Sequence, residues 1–167
     1  MKSILIIGLG RFGRHLCQKF MSLNNEVMIV DRDEAAVSAL ADNVTSAQIA
    51  DCTDENALRA LGVQNFDICF VCIGSDFASS LLITSMLKDM GAAHIIAKAA
   101  RDIHAKLLLR NGADEVVYPE RDSAERLATR LSAQNVFDYI ELTDEYSIYE
   151  IPPLESWVGR SVRCLLY

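Results

Sequence analysis

The chain has 167 residues, 51% hydrophobic and 23% charged. That is the length and balance of about one globular domain, which excludes a disordered chain and leaves no room for a dinucleotide domain plus a full catalytic domain. Lys and Arg number 16 against 23 Asp and Glu, a formal net charge of −7, which argues against duplex nucleic acid or an anionic membrane surface as a partner. No apolar run reaches the roughly 18–20 residues that span a bilayer, so membrane contact is expected only through a partner.

In chain order, the first element is a continuous apolar run at 4–7, the pattern of a strand buried on both faces. The residues before it carry no small-residue cleavage site and the run leads straight into a glycine loop, so it is a strand and not a signal peptide. Phe12, Leu16, Phe20 and Leu23 recur at helical spacing across 11–23. A strand at 26–30, a helix at 33–41 and a strand at 45–50 follow. Thr53 is the expected N-cap of a short helix over 54–61, which Gly62 ends. A fourth strand at 66–73 leads to a helix over 76–90 stopped by Gly91. The pattern repeats with a strand at 94–98, a helix at 102–110 closed by Asn111 and Gly112, and a strand at 115–118. Pro119 stands at the entry of a last helix over 121–133. Six strands alternating with helices predict an α/β fold, a Rossmann-like doubly wound six-stranded parallel sheet in the order 3-2-1-4-5-6. The expected division is a Rossmann-like nucleotide-binding domain over 1–134 and a short C-terminal crossover extension over 135–167, with a strand at 147–151.

The cysteines are Cys17, Cys52, Cys69, Cys72 and Cys164. An odd, scattered set in mostly apolar stretches reads as reduced thiols in a cytoplasmic protein. Cys69 and Cys72 lie three apart in a strand, so they point to opposite faces and cannot pair or share a metal.

Gly8-Leu9-Gly10-Arg11-Phe12-Gly13 is a GxGxxG that follows a strand and opens a helix, with Asp31 ending the next strand. Gly8 gives the tight turn, Gly10 lets a phosphate approach the backbone, and Gly13 lets the helix pack closely on the sheet. Free N–H groups at the helix start suit phosphates. Asp31 is expected to accept hydrogen bonds from the ribose hydroxyls and to repel a 2′-phosphate, an exclusion that Arg32 beside it weakens. Arg11 is expected to reach terminal phosphates, of ATP or ADP as well as of a dinucleotide. Asp51, Cys52 and Gly74 follow the third and fourth strands at their carboxyl ends, where open sheets bind ligands. Asp76 reads as an N-cap. Glu120 either helps hold a divalent cation on bound phosphates or enriches the first turn of the last helix.

No catalytic constellation is present. His15, His94 and His104 have no carboxylate partner that spacing makes plausible, and there is no Ser-His-Asp order, HExxH or P-loop lysine. Binding without turnover is the simpler reading, and the alternative is an NAD-dependent oxidoreductase or a fragment of one.

Apolar surface is in surplus. Mean hydropathy is +0.16, and the helix over 76–90 carries Phe77, Leu81, Leu82, Ile83, Met86, Leu87 and Met90. Positions 77, 81 and 82 are expected to supply part of a sheet-facing stripe that the others widen. Leu107, Leu108 and Leu109 cannot all face one sheet. A dimer at least is therefore expected, built on these two helices with 136–140 as a second contact.

Taken together, Ile6-Ile7-Gly8-Leu9-Gly10-Arg11-Phe12-Gly13, Val30-Asp31, Ala50-Asp51-Cys52-Thr53, Val71-Cys72-Ile73-Gly74, Ile96-Ala97-Lys98-Ala99, Leu109-Arg110-Asn111-Gly112-Ala113-Asp114 and Val117-Tyr118-Pro119-Glu120-Arg121-Asp122 resemble the regulatory subunits of Trk/Ktr-type potassium uptake systems, the RCK or KTN (TrkA-N) domains. The resemblance runs over about 1–150. It implies a non-enzymatic cytoplasmic protein, peripheral to the inner face of the cell membrane, that binds ATP, ADP, NAD or NADH. It implies homo-dimers assembled into rings, commonly octamers, beneath an integral membrane potassium transporter whose ion flow nucleotide exchange gates. It places Arg11 on the phosphates of its own or a neighbouring subunit's nucleotide, Glu120 near a phosphate-bound divalent cation, and Phe12 and Lys98 within the nucleotide-binding set. Cys52 departs from the family's small residue but is itself small. Residues 151–162 resemble the opening of the family's smaller C-terminal ligand-binding domain, so a longer natural protein is expected, with 164–167 outside its pattern.

Overall fold

The structure, a computed structural model, describes residues 1–132, 138–141, 146–150, 152–153, 155–161 and 163. The chain divides into two compact units, Met1–Pro119 and Glu120–Tyr167. In the first, β1 (Ser3–Ile7), β2 (Glu26–Asp31), β3 (Ser46–Ile49), β4 (Ile68–Val71), β5 (Ile95–Lys98) and β6 (Glu115–Val117) alternate with α1 (Arg11–Ser22), α2 (Glu34–Ser38), α3 (Glu55–Ala60), α4 (Phe77–Asp89) and α5 (Asp102–Arg110). The strands form one parallel sheet in the order β3-β2-β1-β4-β5-β6, as the alternation of elements predicts.

Strand alternation builds two cores, one on each face of the sheet. Leu5, Ile7, Cys69, Val71, Ile95 and Ala97 share one face with Leu58 of α3, Ile83 and Leu87 of α4 and Leu108 of α5. Ile4, Ile6, Val27, Ile29, Phe70 and Ile96 share the other with Cys17 of α1 and Val37 of α2. Cys69 and Cys72 accordingly fall in different cores. The amino edge of the sheet is closed by carboxylates: Ser3 N–H donates to Asp67 Oδ2 at 2.7 Å and Ile95 N–H to Asp114 Oδ2 at 2.8 Å. The carboxyl edge is left to the loops.

Three local expectations are corrected. Asp54, not Thr53, caps α3, accepting from the Asn56 N–H at 2.9 Å, while Thr53 is drawn back to Asp51. The helix expected over 33–41 ends at Ser38, because Leu40 leaves helical geometry at φ −122° and tucks into the core, and a 3₁₀ turn, Ala41–Asn43, follows. The face of α4 against the sheet is centred on Ser80, Ile83, Thr84 and Leu87, with Phe77 and Leu81 packed at its margin as expected and Leu82 turned away from it. A buried hydroxyl is tolerable there because Thr84 Oγ1 donates to the Ser80 carbonyl at 2.8 Å. Turned this way, α4 leaves Leu82 47% exposed, and α5 leaves Ile103 56% and Leu109 49% exposed while Leu108 is fully buried.

In the second unit, α6 (Pro119–Ser132) buries none of its side chains. The two compact units meet at Pro119/Glu120, at the first residue of α6. β7 (Asp138–Glu141) and β8 (Ser147–Glu150) pair antiparallel. Val136, Phe137 and Cys164 lie outside the described residues. Among the described residues, no helix is long and apolar enough to cross a membrane.

Candidate functional site

At the point where the strand order reverses, the carboxyl ends of β1, β2, β3 and β4 surround a cavity of about 520 Å³, within the range of small-ligand pockets. The glycine loop forms one wall. Gly8 takes φ +97°, a left-handed conformation that favours glycine, and its N–H donates to the Val30 carbonyl at 2.9 Å. Gly13 is buried, and a methyl on it would overlap the Gly8 carbonyl oxygen, so α1 approaches the loop only because position 13 has no side chain. Gly10 caps α1 with extended backbone and no side-chain partner, and a methyl there would meet no atom within 4 Å. It faces open cavity.

The second wall is acidic. Asp31 Oδ2 accepts from Leu9 N–H at 2.6 Å and Oδ1 from Asp33 N–H at 2.9 Å, so one carboxylate ties the end of β2 to the glycine loop. The Thr53 hydroxyl and N–H donate to Asp51 Oδ1 at 2.7 and 2.9 Å and hold its carboxyl below the usual carboxylate range. Asp76 caps α4 as expected, accepting from Ser79 Oγ at 2.6 Å and Ser79 N–H at 3.2 Å, and is lowered for the same reason. Cys52 and Cys72 also line the cavity. Burial pushes both thiols up to about 12, so at neutral pH they are apolar packing groups and not thiolates.

Of the expected site residues, Gly8, Gly10, Asp31, Arg32, Asp51, Cys52 and Gly74 line this cavity. Gly13 shapes it from beneath. Lys98 is adjacent to Gly74, its Nζ 3.4 Å from where a Gly74 Cβ would stand. Phe12 packs with the α1 side of the core instead. Arg11 is exposed and outside the lining. Glu120 lies in the second unit, in the first turn of α6. Two charged lining residues escaped the sequence reading, Arg14 and Asp33. Arg14 was legible in principle, since residues one helical turn apart share a face and it follows Gly10 by one turn. No histidine lines the cavity, and among the described residues no cluster of His, Cys, Asp and Glu is placed to hold a metal.

The sequence pattern of the TrkA-N domain matches residues 4–119. The chain is 44% identical over 150 residues to Ktr system potassium uptake protein C of Bacillus subtilis (strain 168), covering 90% of this chain and 68% of that protein. It is 42% identical, with the same coverage, to Ktr system potassium uptake protein A of the same organism. Among solved structures, the GsuK channel bound to NAD superposes with a TM-score of 0.70 at 22% identity, over 86% of this chain and 26% of that one. That likeness supports the same fold. The match over nearly all of the sheet, glycine loop included, and the identity to the two uptake proteins settle the family: this chain belongs to the TrkA-N domain family.

Proposed function

We propose that this protein is a cytoplasmic nucleotide-sensing regulatory subunit that gates a membrane potassium transporter through binding of ATP, ADP, NAD or NADH. The observation that carries the reading is the cavity itself: an uncapped helix start over a glycine loop, with an acidic residue, Asp31, across from it. The potassium uptake relatives supply the transport context. The protein acts without catalysis, as a module whose ligand changes its assembly. The cavity's fixed carboxylates select a free 2′-hydroxyl, so NADPH is a poorer ligand than NADH. Lys98 is assigned to the pyrophosphate end, and Arg11, exposed on the first turn of α1, to the nucleotide of a neighbouring copy.

A thermal-shift panel tests the ligand class, since binding at a hundredfold excess over Kd stabilises by about 2.7 kcal/mol. ATP, ADP or NADH is expected to raise Tm and NADPH to raise it less. No shift with any adenine nucleotide overturns the reading.

The same reading requires assembly. Leu82, Ile103 and Leu109 expose apolar surface on α4 and α5, and we assign that surface to a twofold contact between copies. Light scattering at tens of micromolar is expected to give at least twice the 18.5 kDa chain mass, and Leu82→Glu to lower it. A wild-type monomer would contradict the assignment.

A further inference from the structure

The cavity has two electrically distinct ends. Asp31, Asp33, Asp51 and Asp76 stand at the ends of β2, β3 and β4 or at the helix starts just after them. Each already accepts a hydrogen bond from a neighbouring N–H or hydroxyl, and the bonds from Thr53 and Ser79 hold the Asp51 and Asp76 carboxyls below the usual carboxylate range. Four fixed negative charges repel a phosphate. The other end is the first turn of α1, which carries no acidic residue and begins at the open, uncapped Gly10.

The two cations in the lining differ in what they can do. Arg32 follows Asp31 at the end of β2 and lies within the field of Asp51 and Asp76, so it stands among the carboxylates. Arg14 lines the cavity from α1, whose first turn carries no acidic residue. Its N–H donates to the Gly10 carbonyl at 3.0 Å, which fixes it one turn above the glycine loop, and among the described residues no carboxylate pairs with its side chain. A cation in the first turn opposes the helix dipole, an arrangement that a bound anion reverses into an advantage.

We propose that Arg14 is a phosphate-recognising side chain of this cavity, in addition to Lys98, and sets a preference for nucleoside di- and triphosphates over adenosine. The proposal rests on the reading of the cavity as an adenine-nucleotide site. The guanidinium presents paired N–H donors that match phosphate oxygens bidentately. Phosphates beyond the first add oxygens for it to bind, whereas adenosine offers none.

Calorimetric titration of adenosine, AMP, ADP and ATP into the wild type, Arg14→Gln and Arg14→Lys tests it. Position 14 is exposed and glutamine is a good helix former, so both variants are expected to melt with the wild type. Arg14→Gln is expected to weaken ADP and ATP at least about tenfold, the scale of a lost charge-assisted hydrogen bond, and adenosine by less than about twofold. Arg14→Lys keeps the charge without the fork and is expected to fall between. A wild type that binds nucleotides, with an ADP-to-adenosine affinity ratio unchanged in Arg14→Gln, overturns the role of Arg14 alone. A wild type that binds none of the four overturns the site and the role together.

Discussion

Gly13→Ala is expected to destabilise the fold by about 3 kcal/mol, the upper range for overpacking a tight contact, and to lower Tm by about 6–12 °C for a chain of this size. The added methyl meets the backbone carbonyl of Gly8, which no rotamer change relieves. Either α1 moves off the sheet or the loop moves out of its turn, and both routes disturb the packing around Cys17 and Phe20, whose ring stands 5.5 Å from Phe70. Gly10→Ala separates folding from binding. Its methyl meets nothing within 4 Å and its φ of −63° suits any residue, so stability is expected to change by less than about 1 kcal/mol, the scale of an N-cap substitution. Yet that methyl enters the space a phosphate needs, and nucleotide affinity is expected to fall at least about tenfold. Thermal melts and titrations on the pair check both claims. A stable Gly13→Ala, or a Gly10→Ala that binds as the wild type does, contradicts this account of the loop.

Asp31→Ala is expected to weaken ATP and NADH by about tenfold to a hundredfold, since a hydrogen bond to a charged group is worth about 1.5–3 kcal/mol. The effect has two physical sources. The carboxylate is the group we assign to the ribose hydroxyls, and it also holds the Leu9 and Asp33 N–H groups. Its removal therefore costs a ligand contact and loosens the loop that carries Gly8 and Gly10. Asp31→Asn is a sharper probe, because its amide must turn an N–H toward one of the two backbone donors. Calorimetry decides the matter: unchanged affinity for both ATP and NADH removes Asp31 from the site.

The sheet order was legible because the central strands β1 and β4 carry uninterrupted apolar runs and apolar strand-length segments alternate with helical patterns along the chain, and such patterns report burial directly. The glycine loop was legible because each glycine answers a backbone requirement, the left-handed turn at Gly8 and the close approach at Gly13. Caps and helix faces were less so. Thr53 and Asp54 are both good N-caps, and the choice fell to Asp54 because Asp51 takes the Thr53 hydroxyl, a contact that residue-by-residue propensity does not see. The centre of the α4 face was missed because Ser80 and Thr84 look polar, yet both are buried against the sheet. Arg11 stands in the motif and drew attention, while Arg14, one turn from Gly10, is the arginine that lines the cavity. Spacing along a helix fixes which residues share a face, but the azimuth of that face is set by packing around Gly13 and Cys17.

The most direct test of the nucleotide site is backbone amide NMR of the ¹⁵N-labelled chain titrated with ADP. The Leu9 N–H, which links the glycine loop to Asp31, and the N–H groups of Gly10 through Gly13 at the start of α1 are expected to shift most, together with Asp33 and Thr53. Saturating ADP that leaves these amides unmoved, or that shifts a different surface instead, would contradict the placement of the nucleotide at the ends of β1 and β2.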